Sequence, residues 1–421
     1  MTGNTRFDVA VVGGGAAGLS AAIAAARAGA LVVIAERMTR PGKKILITGG
    51  GRCNLSNTSL SPADFTSTDP GLVRAAFEKV DGQAILRFFR GLGLATYDED
   101  GRIFPITNQA VSVLKVLELE IARLGVKVEL GCEITSLRPA PPGLSIEAGD
   151  GRMFEASTVV LTGGGRSYPA LGSNGSAYGL AQKIGHTVIP PVPSAVPLLV
   201  KDKLCHFLQG QKIRGRAAAL VEGKETAAAE GDILFTAYGL SGTAILDVSE
   251  PLSIALNRSG IGKTELLADF VPFFSRDELA DNFRKRLAGG WAETDLAAGI
   301  LPEKFGPLLP TLVHSSSLSS ASQADGPARA ASLAAALKSH RFTVLGTRGW
   351  NEAEFTAGGV DAREVERTTM ESKKRRGVFL AGELLDVQGP RGGFNLAWAW
   401  ASGLIAGEAA ARACPVLGVR S

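Results

Sequence analysis

FDVAVVGGGAAGL, residues 7–19, is the stretch that decides the fold. Phe7–Val12 is apolar except for Asp8, the composition of a strand buried on both faces. It runs into Gly13, Gly15 and Gly18, spaced G-x-G-x-x-G, with Ala16 and Ala17 between them. Gly13 lets the chain turn out of the strand, Gly15 lets a pyrophosphate approach the backbone, and Gly18 lets the next helix pack closely on the sheet. Leu19–Ala28 reads as that helix, and its N-terminus offers N–H groups and partial positive charge to phosphates. Leu31–Ala35 reads as a second strand ending on Glu36, eighteen residues after Gly18, where an acid accepts hydrogen bonds from an adenosine ribose. An acid there favours FAD or NAD over NADP, whose 2′-phosphate it would repel. Taken alone, residues 7–36 allow NAD, FAD or a βαβ unit without nucleotide.

The 421 residues suffice for two or three domains, and 45% hydrophobic with 20% charged residues describes a globular chain. A net charge of +4 makes no case for a nucleic-acid partner, and the basic runs 284–286 and 373–376 read as solvated surface. No basic-then-apolar leader and no apolar run of membrane length is found, so neither membrane nor export is expected. Cys53, Cys132, Cys205 and Cys414 are scattered without ligand spacing, which predicts no metal and reduced thiols in the cytoplasm.

Beyond Glu36, Gly49-Gly50-Gly51-Arg52-Cys53-Asn54 forms a second backbone-exposed loop, suited to lying against a ligand. Arg52 suits a phosphate or carboxylate there. Pro70–Gly91 reads as one or two helices, 94–105 as a hairpin, and 108–124 as a helix with Val111, Leu114, Leu117 and Ile121 as its stripe. Strands are expected at 126–130, 134–137, 143–148, 152–155 and 158–161, the last entering Thr162-Gly163-Gly164-Gly165. Three prolines within 190–193 mark a domain boundary. After it come short strands at 197–200, 217–221 and 232–235, then helices at 263–274, 276–287, 303–312 and 328–338, with a Ser-rich loop at 315–322. Strands are expected again at 342–345, 352–355 and 377–381. The chain closes on Gly382-Glu383, the loop Gly389-Pro390-Arg391-Gly392-Gly393, and a helix over 396–411. That helix end is a good place for developing negative charge, and Trp398 and Trp400 read as core.

These motifs resemble the glutathione-reductase-type FAD flavoproteins. More narrowly they resemble the bacterial family labelled aminoacetone oxidase-like or BaiN-type NAD(P)/FAD-dependent oxidoreductase. The resemblance rests on GGGAAGL at 13–19, PGKKILITGGGRCNLSN at 41–57, LTGGGRSYPALGSNGSAYGLA at 161–181, LFTAYGLSGTAIL at 234–246, FTAGGV at 355–360, TMESK at 369–373 and AGELLDVQGPRGGFNLAWAWASG at 381–403. It implies an α/β fold: a discontinuous Rossmann-like FAD/NAD(P)-binding domain (1–190 and 341–421) carrying an inserted β-barrel domain (191–255 and 325–345) and a helical insertion (256–324). It implies that Gly13, Gly15, Ala17 and Gly18 hold the pyrophosphate, Glu36 the ribose, and Ile134 the adenine through its backbone. Gly51, Arg52 and Asn54 would lie along the cofactor, and Thr162 and Gly163 near its adenosine half. Gly382 and Glu383 would meet the ribitol–pyrophosphate region, with Asp386 as a substitute acid. Gly393, Asn395 and Leu396 would lie at the pyrimidine edge of the isoalloxazine. Ala16, Arg37, Lys43 and Gly164 complete the implied cofactor set.

The function expected is an FAD-dependent oxidoreductase passing a hydride between flavin N5 and a small organic substrate or O₂. No second complete fingerprint is present, so NAD(P)H would act as a transient reductant on the substrate side of the flavin. Tyr168, Arg391 and Cys53 are the catalytic candidates on that side. Two competitors stand beside this reading: an FAD-dependent nucleic-acid-modifying enzyme, and a non-enzymatic flavin-binding redox sensor.

Overall fold

The computed structural model describes residues 6–315 and 326–414. They fall into two compact units, Met1–Pro191 with Phe355–Ser421, and Val192–Glu354.

The first unit is built on β1 (Arg6–Val12), α1 (Ala16–Arg27) and β2 (Val32–Glu36). Its sheet runs in the order Lys127–Leu130, β2, β1, Met153–Leu161, Gly143–Ala148, Ile134–Ala140, and Val378–Leu380 joins beside Met153–Leu161. β1 lies parallel to both β2 and Met153–Leu161. Segments 152–155 and 158–161, expected as separate strands, form one strand of nine residues, because no Gly or Pro breaks the run after Phe154. Its first half pairs antiparallel with Gly143–Ala148 and its second half parallel with Val378–Leu380.

Two small-residue helices cross against this sheet. α1 packs on the C-terminal helix Phe394–Arg412. A Cβ on Gly407 would lie 2.0 Å from the Ala21 carbonyl oxygen, and one on Gly403 2.4 Å from that of Ala17, so the backbones touch only because those side chains are missing. Trp398 and Trp400 are buried, and their indole N–H groups donate to the carbonyls of Gly382 and Leu55 at 3.1 and 3.2 Å. Both rings are core, as their sequence pattern implies, and truncating either to Ala costs about 3–5 kcal/mol.

Pro70–Gly91 resolves into two helices, Pro70–Lys79 and Gly82–Gly91, capped by Asp69 and Asp81. In the helix Ala110–Arg123, Val111 is 46% exposed and Ala110 and Val113 are buried, which shifts the expected stripe around the helix.

The second unit contains a closed barrel in the order Leu198–Val200, Gly239–Ser241, Lys224–Thr236, Lys212–Val221, Thr264–Asp269, His340–Thr347. Residues 263–274 were expected to be helical and lie in the proposed helical insertion, yet Thr264–Asp269 is a barrel strand. Its Glu, Leu and Ala content suits a helix, but burial alternates every second residue, and pairing with Lys212–Val221 and His340–Thr347 overrides propensity. His340–Thr347 likewise belongs to this unit; residues 341–345 fall within both the expected FAD domain (341–421) and the expected barrel domain (325–345), and they form a barrel strand. Helices Arg276–Ala288 and Pro327–Lys338 pack together, and Phe235, Phe270, Phe305 and Phe342 meet in edge and tilted contacts beneath them. The expected strand at 352–355 begins only at Phe355 and runs to Val360. The Ser-rich stretch lies outside the described residues from position 316. Among the described residues no helix is long and apolar enough to cross a membrane.

Candidate functional site

β1 has sheet neighbours on both sides, reached by connections that leave in opposite directions, so its carboxyl end opens a switch-point crevice. Gly13 follows β1, Glu36 ends β2, Thr162 follows Met153–Leu161, and Gly382 follows Val378–Leu380. One sheet edge therefore gathers residues spread over nearly the whole chain.

The turn after β1 has no room for side chains. Gly13 has a φ of +103°, and a Cβ there would lie 2.7 Å from the Thr162 carbonyl oxygen. A Cβ on Gly18 would lie 1.8 Å from the Gly13 carbonyl oxygen. Gly15 differs: it caps α1, and nothing lies within 4 Å of the Cβ it lacks. The first N–H groups of α1, those of Ala16, Ala17 and Gly18, have no intrahelical acceptor and border that open space. This is the arrangement a diphosphate requires.

Glu36 is 7% exposed. Its Oε2 accepts the Gly14 N–H at 2.7 Å and its Oε1 the Met38 N–H at 2.7 Å. The carboxylate is thus held over the glycine turn with lone pairs remaining for two ribose hydroxyls. The Cys132 N–H donates to the Glu36 carbonyl at 2.9 Å, which brings the buried Ile134 to the same strand end. Arg37 is half-buried, with Nη1 on the Gly172 carbonyl at 3.4 Å and Nε 3.8 Å from Glu133. Lys43 sits half-buried in a loop stitched to the turn by the Gly42 N–H, which donates to the Gly14 carbonyl at 2.8 Å.

Residues 49–54 meet the start of the C-terminal helix. Gly393 caps that helix with a φ of +102°, and a Cβ there would lie 2.4 Å from the Ser56 carbonyl oxygen and 2.7 Å from Asn54 Oδ1. Asn57 Nδ2 donates to the Gly392 carbonyl at 2.9 Å and fastens the two loops together. Asn54 is buried, and its Oδ1 has no hydrogen-bond partner within the chain, an orphaned acceptor beside a helix N-terminus. Gly51 stands half-buried in the same loop.

Two residues of this loop have surroundings within the chain that bear on the expected roles. Arg52 forms an ion pair with Glu99 at 2.9 Å and stacks over Phe104 at 4.0 Å, so its guanidinium already has a carboxylate and an aromatic face. Cys53 is fully buried, and desolvation pushes its thiol up to about 12. A thiol so protonated is no nucleophile at neutral pH. Iodoacetamide at pH 8 is expected to leave Cys53 unmodified in the folded protein and to label it after denaturation, as read by peptide mass mapping; rapid native labelling would restore it as a catalytic candidate.

The third loop, 162–168, is tied to the rest by side chains. Thr162 Oγ1 donates to the carbonyls of Val12 and Gly13 at 3.0 and 2.8 Å, so the hydroxyl braces the turn and leaves only its backbone for a ligand. Gly163 packs against Ala177, and Gly164 takes a φ of +71°. Tyr168 is half-buried in a left-handed conformation (φ +55°). Glu383 Oε1 accepts from Ser167 Oγ at 3.1 Å and from the Thr356 N–H at 2.9 Å, while Oε2 accepts from Lys44 Nζ at 2.7 Å. Gly382 lies against Ala17, where a Cβ would sit 2.7 Å from the Ala17 Cβ. Asp386 is buried two residues before Gln388, whose Oε1 is also buried without a partner within the chain.

In the last loop, Asn395 Oδ1 accepts the Gly389 N–H at 3.0 Å and its Nδ2 donates to the Gly389 carbonyl at 2.8 Å. Its amide therefore clasps the loop, and only its backbone N–H, with that of Leu396, points with the helix axis. Arg391 is half-buried within the clasped loop. Sequence reasoning missed Lys44, Ser167 and Thr356, whose only sequence signal is their position within the quoted motifs.

The residues present fit FAD. Two helix N-termini, the buried acid at β2, the open space at Gly15 and the orphaned Asn54 acceptor provide for its diphosphate, its ribose and its polar ring edge. Bound there, FAD supplies two-electron hydride chemistry that no side chain can provide.

Known proteins resemble the chain over almost its whole length. The chain is 38% identical over 407 residues to the 3-dehydro-bile acid delta(4,6)-reductase of Clostridium scindens, covering 96% of this chain and 98% of that one. It is 29% identical over 407 residues to the ribosomal RNA dihydrouridine synthase of Escherichia coli, covering 94% and 96%. Its fold matches the crystal structure of 3-ketosteroid delta1-dehydrogenase from Sterolibacterium denitrificans, with a TM-score of 0.51, 14% identity, and coverage of 97% and 99%. Residues 7–409 match the family described as HI0933-like protein Rossmann domain, and the chain belongs to that family as an FAD-dependent oxidoreductase.

Proposed function

We propose that this enzyme saturates a carbon–carbon double bond conjugated to a carbonyl in a small molecule, with NAD(P)H as the transient reductant. The observation that carries this reading is the 38% identity, over 96% of the chain, to a protein named as a delta(4,6)-reductase of a 3-dehydro bile acid. Saturating such a bond takes a hydride at one carbon and a proton at the next, with the negative charge passing through the carbonyl. The chain's part is to hold and orient. α1 and Glu36 fix the adenosine half, and the Asn54–Gly393 junction fixes the other end. The N-terminus of the Phe394–Arg412 helix favours the reduced, negatively charged form of the cofactor.

A second reading follows from the dihydrouridine synthase, since the uracil double bond is also conjugated to a carbonyl. The basic runs lend it little. Arg284 and Lys285 pair with Asp281, and Arg286 donates to the Leu296 and Ala298 carbonyls. Lys373 donates to the Arg363 carbonyl and Lys374 pairs with Glu364. Four free cysteines suit the reducing cytoplasm in which we place the enzyme.

The test is anaerobic. Protein reduced by NADH or NADPH is mixed with a 3-oxo-4-ene steroid, with uridine-containing RNA, or with buffer, and flavin reoxidation is followed by absorbance. Reoxidation by the enone with a saturated product is expected. Reoxidation by RNA alone replaces the first reading with the second, and inertness toward both favours a redox sensor.

A further inference from the structure

Lys44 and Glu383 are 339 residues apart and form an ion pair of 2.7 Å, each with 22% of its side chain exposed. Lys44 Nζ also donates to Ser167 Oγ at 2.6 Å, and Ser167 Oγ donates to Glu383 Oε1 at 3.1 Å. These distances fit an ammonium that gives one hydrogen to the hydroxyl and one to the carboxylate, with the hydroxyl giving its own to the other carboxylate oxygen.

The two partners are not alike in what they have left. Glu383 takes three donors from this chain, counting the Thr356 N–H at 2.9 Å. A Cβ on Gly165 would lie 3.0 Å from the Glu383 carboxyl carbon, so the third glycine loop closes over it. Lys44 meets only two acceptors among the described residues, and an ammonium has three donors. Lys44 also belongs to the loop stitched to the diphosphate turn, through the Gly42 N–H on the Gly14 carbonyl at 2.8 Å. Its ammonium reaches from that turn to the loop at Gly382, which lies on Ala17 of α1.

Charge makes the same point. Glu36 ends β2, and Glu383 and Asp386 follow Val378–Leu380, so their carboxylates belong to segments that border this crevice, and FAD brings two further negative charges on its diphosphate. A helix N-terminus carries roughly half a positive charge. A fixed cation offsets that charge, and Arg52 is paired with Glu99.

We propose that Lys44 is the cation that binds the diphosphate of FAD, and that Glu383 is a positioning residue which aims it. Glu383 then acts on the diphosphate through Lys44, a role beside the ribitol–pyrophosphate contact implied by the family resemblance.

The test uses full-length apo-protein titrated with FAD, read by flavin fluorescence, at a series of salt concentrations. Lys44→Met is expected to weaken FAD binding by about 10- to 100-fold, as for loss of a hydrogen bond to a charged group, and to flatten its salt dependence. Lys44→Arg is expected to recover most of the affinity. Glu383→Ala is expected to weaken binding less than Lys44→Met, and the Lys44→Met/Glu383→Ala protein to stay weaker than wild type while losing less than the sum of the two single losses, because without the lysine the carboxylate has nothing left to aim. Additive losses overturn the positioning role. Wild-type affinity and salt slope in Lys44→Met overturn the diphosphate contact. If Lys44→Met binds poorly but the double variant binds as wild type, the lysine serves only to neutralise Glu383, and the proposal fails. None of these readouts depends on turnover or on the identity of the reduced substrate.

Discussion

Gly18→Ala yields a protein that purifies without flavin and, as apo-protein, melts about 1–5 °C below the parent. The sign of this result is not obvious from local preference. Gly18 lies inside α1, and alanine in a helix is favoured over glycine by roughly 1 kcal/mol. The tertiary contact opposes it. The new methyl would lie 1.8 Å from the Gly13 carbonyl oxygen and 2.8 Å from Thr162 Oγ1. The first is backbone of the turn itself, and it cannot swing aside as a side-chain end can. Relief requires the helix start to move by about an ångström, at an overpacking cost of about 1–3 kcal/mol or more. That movement carries away the N–H groups that face the open space at Gly15. Colour and bound FAD after denaturation measure the site, and thermal melting of the apo-protein measures the fold. A yellow, more stable Gly18→Ala protein would mean that helix propensity outweighs the contact and that the turn is looser than its geometry.

Glu36→Ala is expected to lose about 10- to 100-fold in FAD affinity and to destabilise the apo-protein by about 2–4 kcal/mol. Two effects combine. The cofactor loses its ribose acceptor. The chain loses the acceptor for two backbone N–H groups, those of Gly14 and Met38, both held at 2.7 Å. Each N–H left without a partner costs about 1–3 kcal/mol when water cannot reach it. Glu36→Gln separates the effects, because it keeps the shape and one acceptor but sets an NH₂ group against a backbone donor. FAD titration and chemical denaturation of the two variants give both numbers. Unchanged FAD affinity in Glu36→Ala would remove Glu36 from the ribose site, whatever happens to stability.

Both predictions concern residues legible in the sequence, and that is no accident. A dinucleotide turn is local: strand, glycines, helix and terminal acid occupy one continuous stretch, and the steric demands on Gly13, Gly15 and Gly18 arise within it. The helix start after Gly393 was legible for the same reason, since a Gly-rich loop before a long apolar helix is a local pattern. The strand Thr264–Asp269 was not legible. Its residues favour a helix, and only the barrel strands on either side of it hold it extended: Val221, 43 positions earlier, pairs with Thr264, and Arg341, 74 positions later, pairs with Leu267.

The site divides along the same line. The sequence by itself determined the class of fold, the glycine turn, the acid at β2 and the two further glycine loops, because each depends on the backbone freedom or charge of residues close in the chain. Only the tertiary structure decided what long side chains do with their ends. Arg52, which reads as a phosphate ligand, turns to Glu99 and Phe104. Cys53 is buried, and Asn395 spends its amide on the loop that carries it. Lys44, which carries no signal of its own, meets a carboxylate from the far end of the chain. A flexible side chain goes to whichever partner the fold brings within about 3 Å, and that partner is set by packing between distant segments rather than by neighbours in sequence.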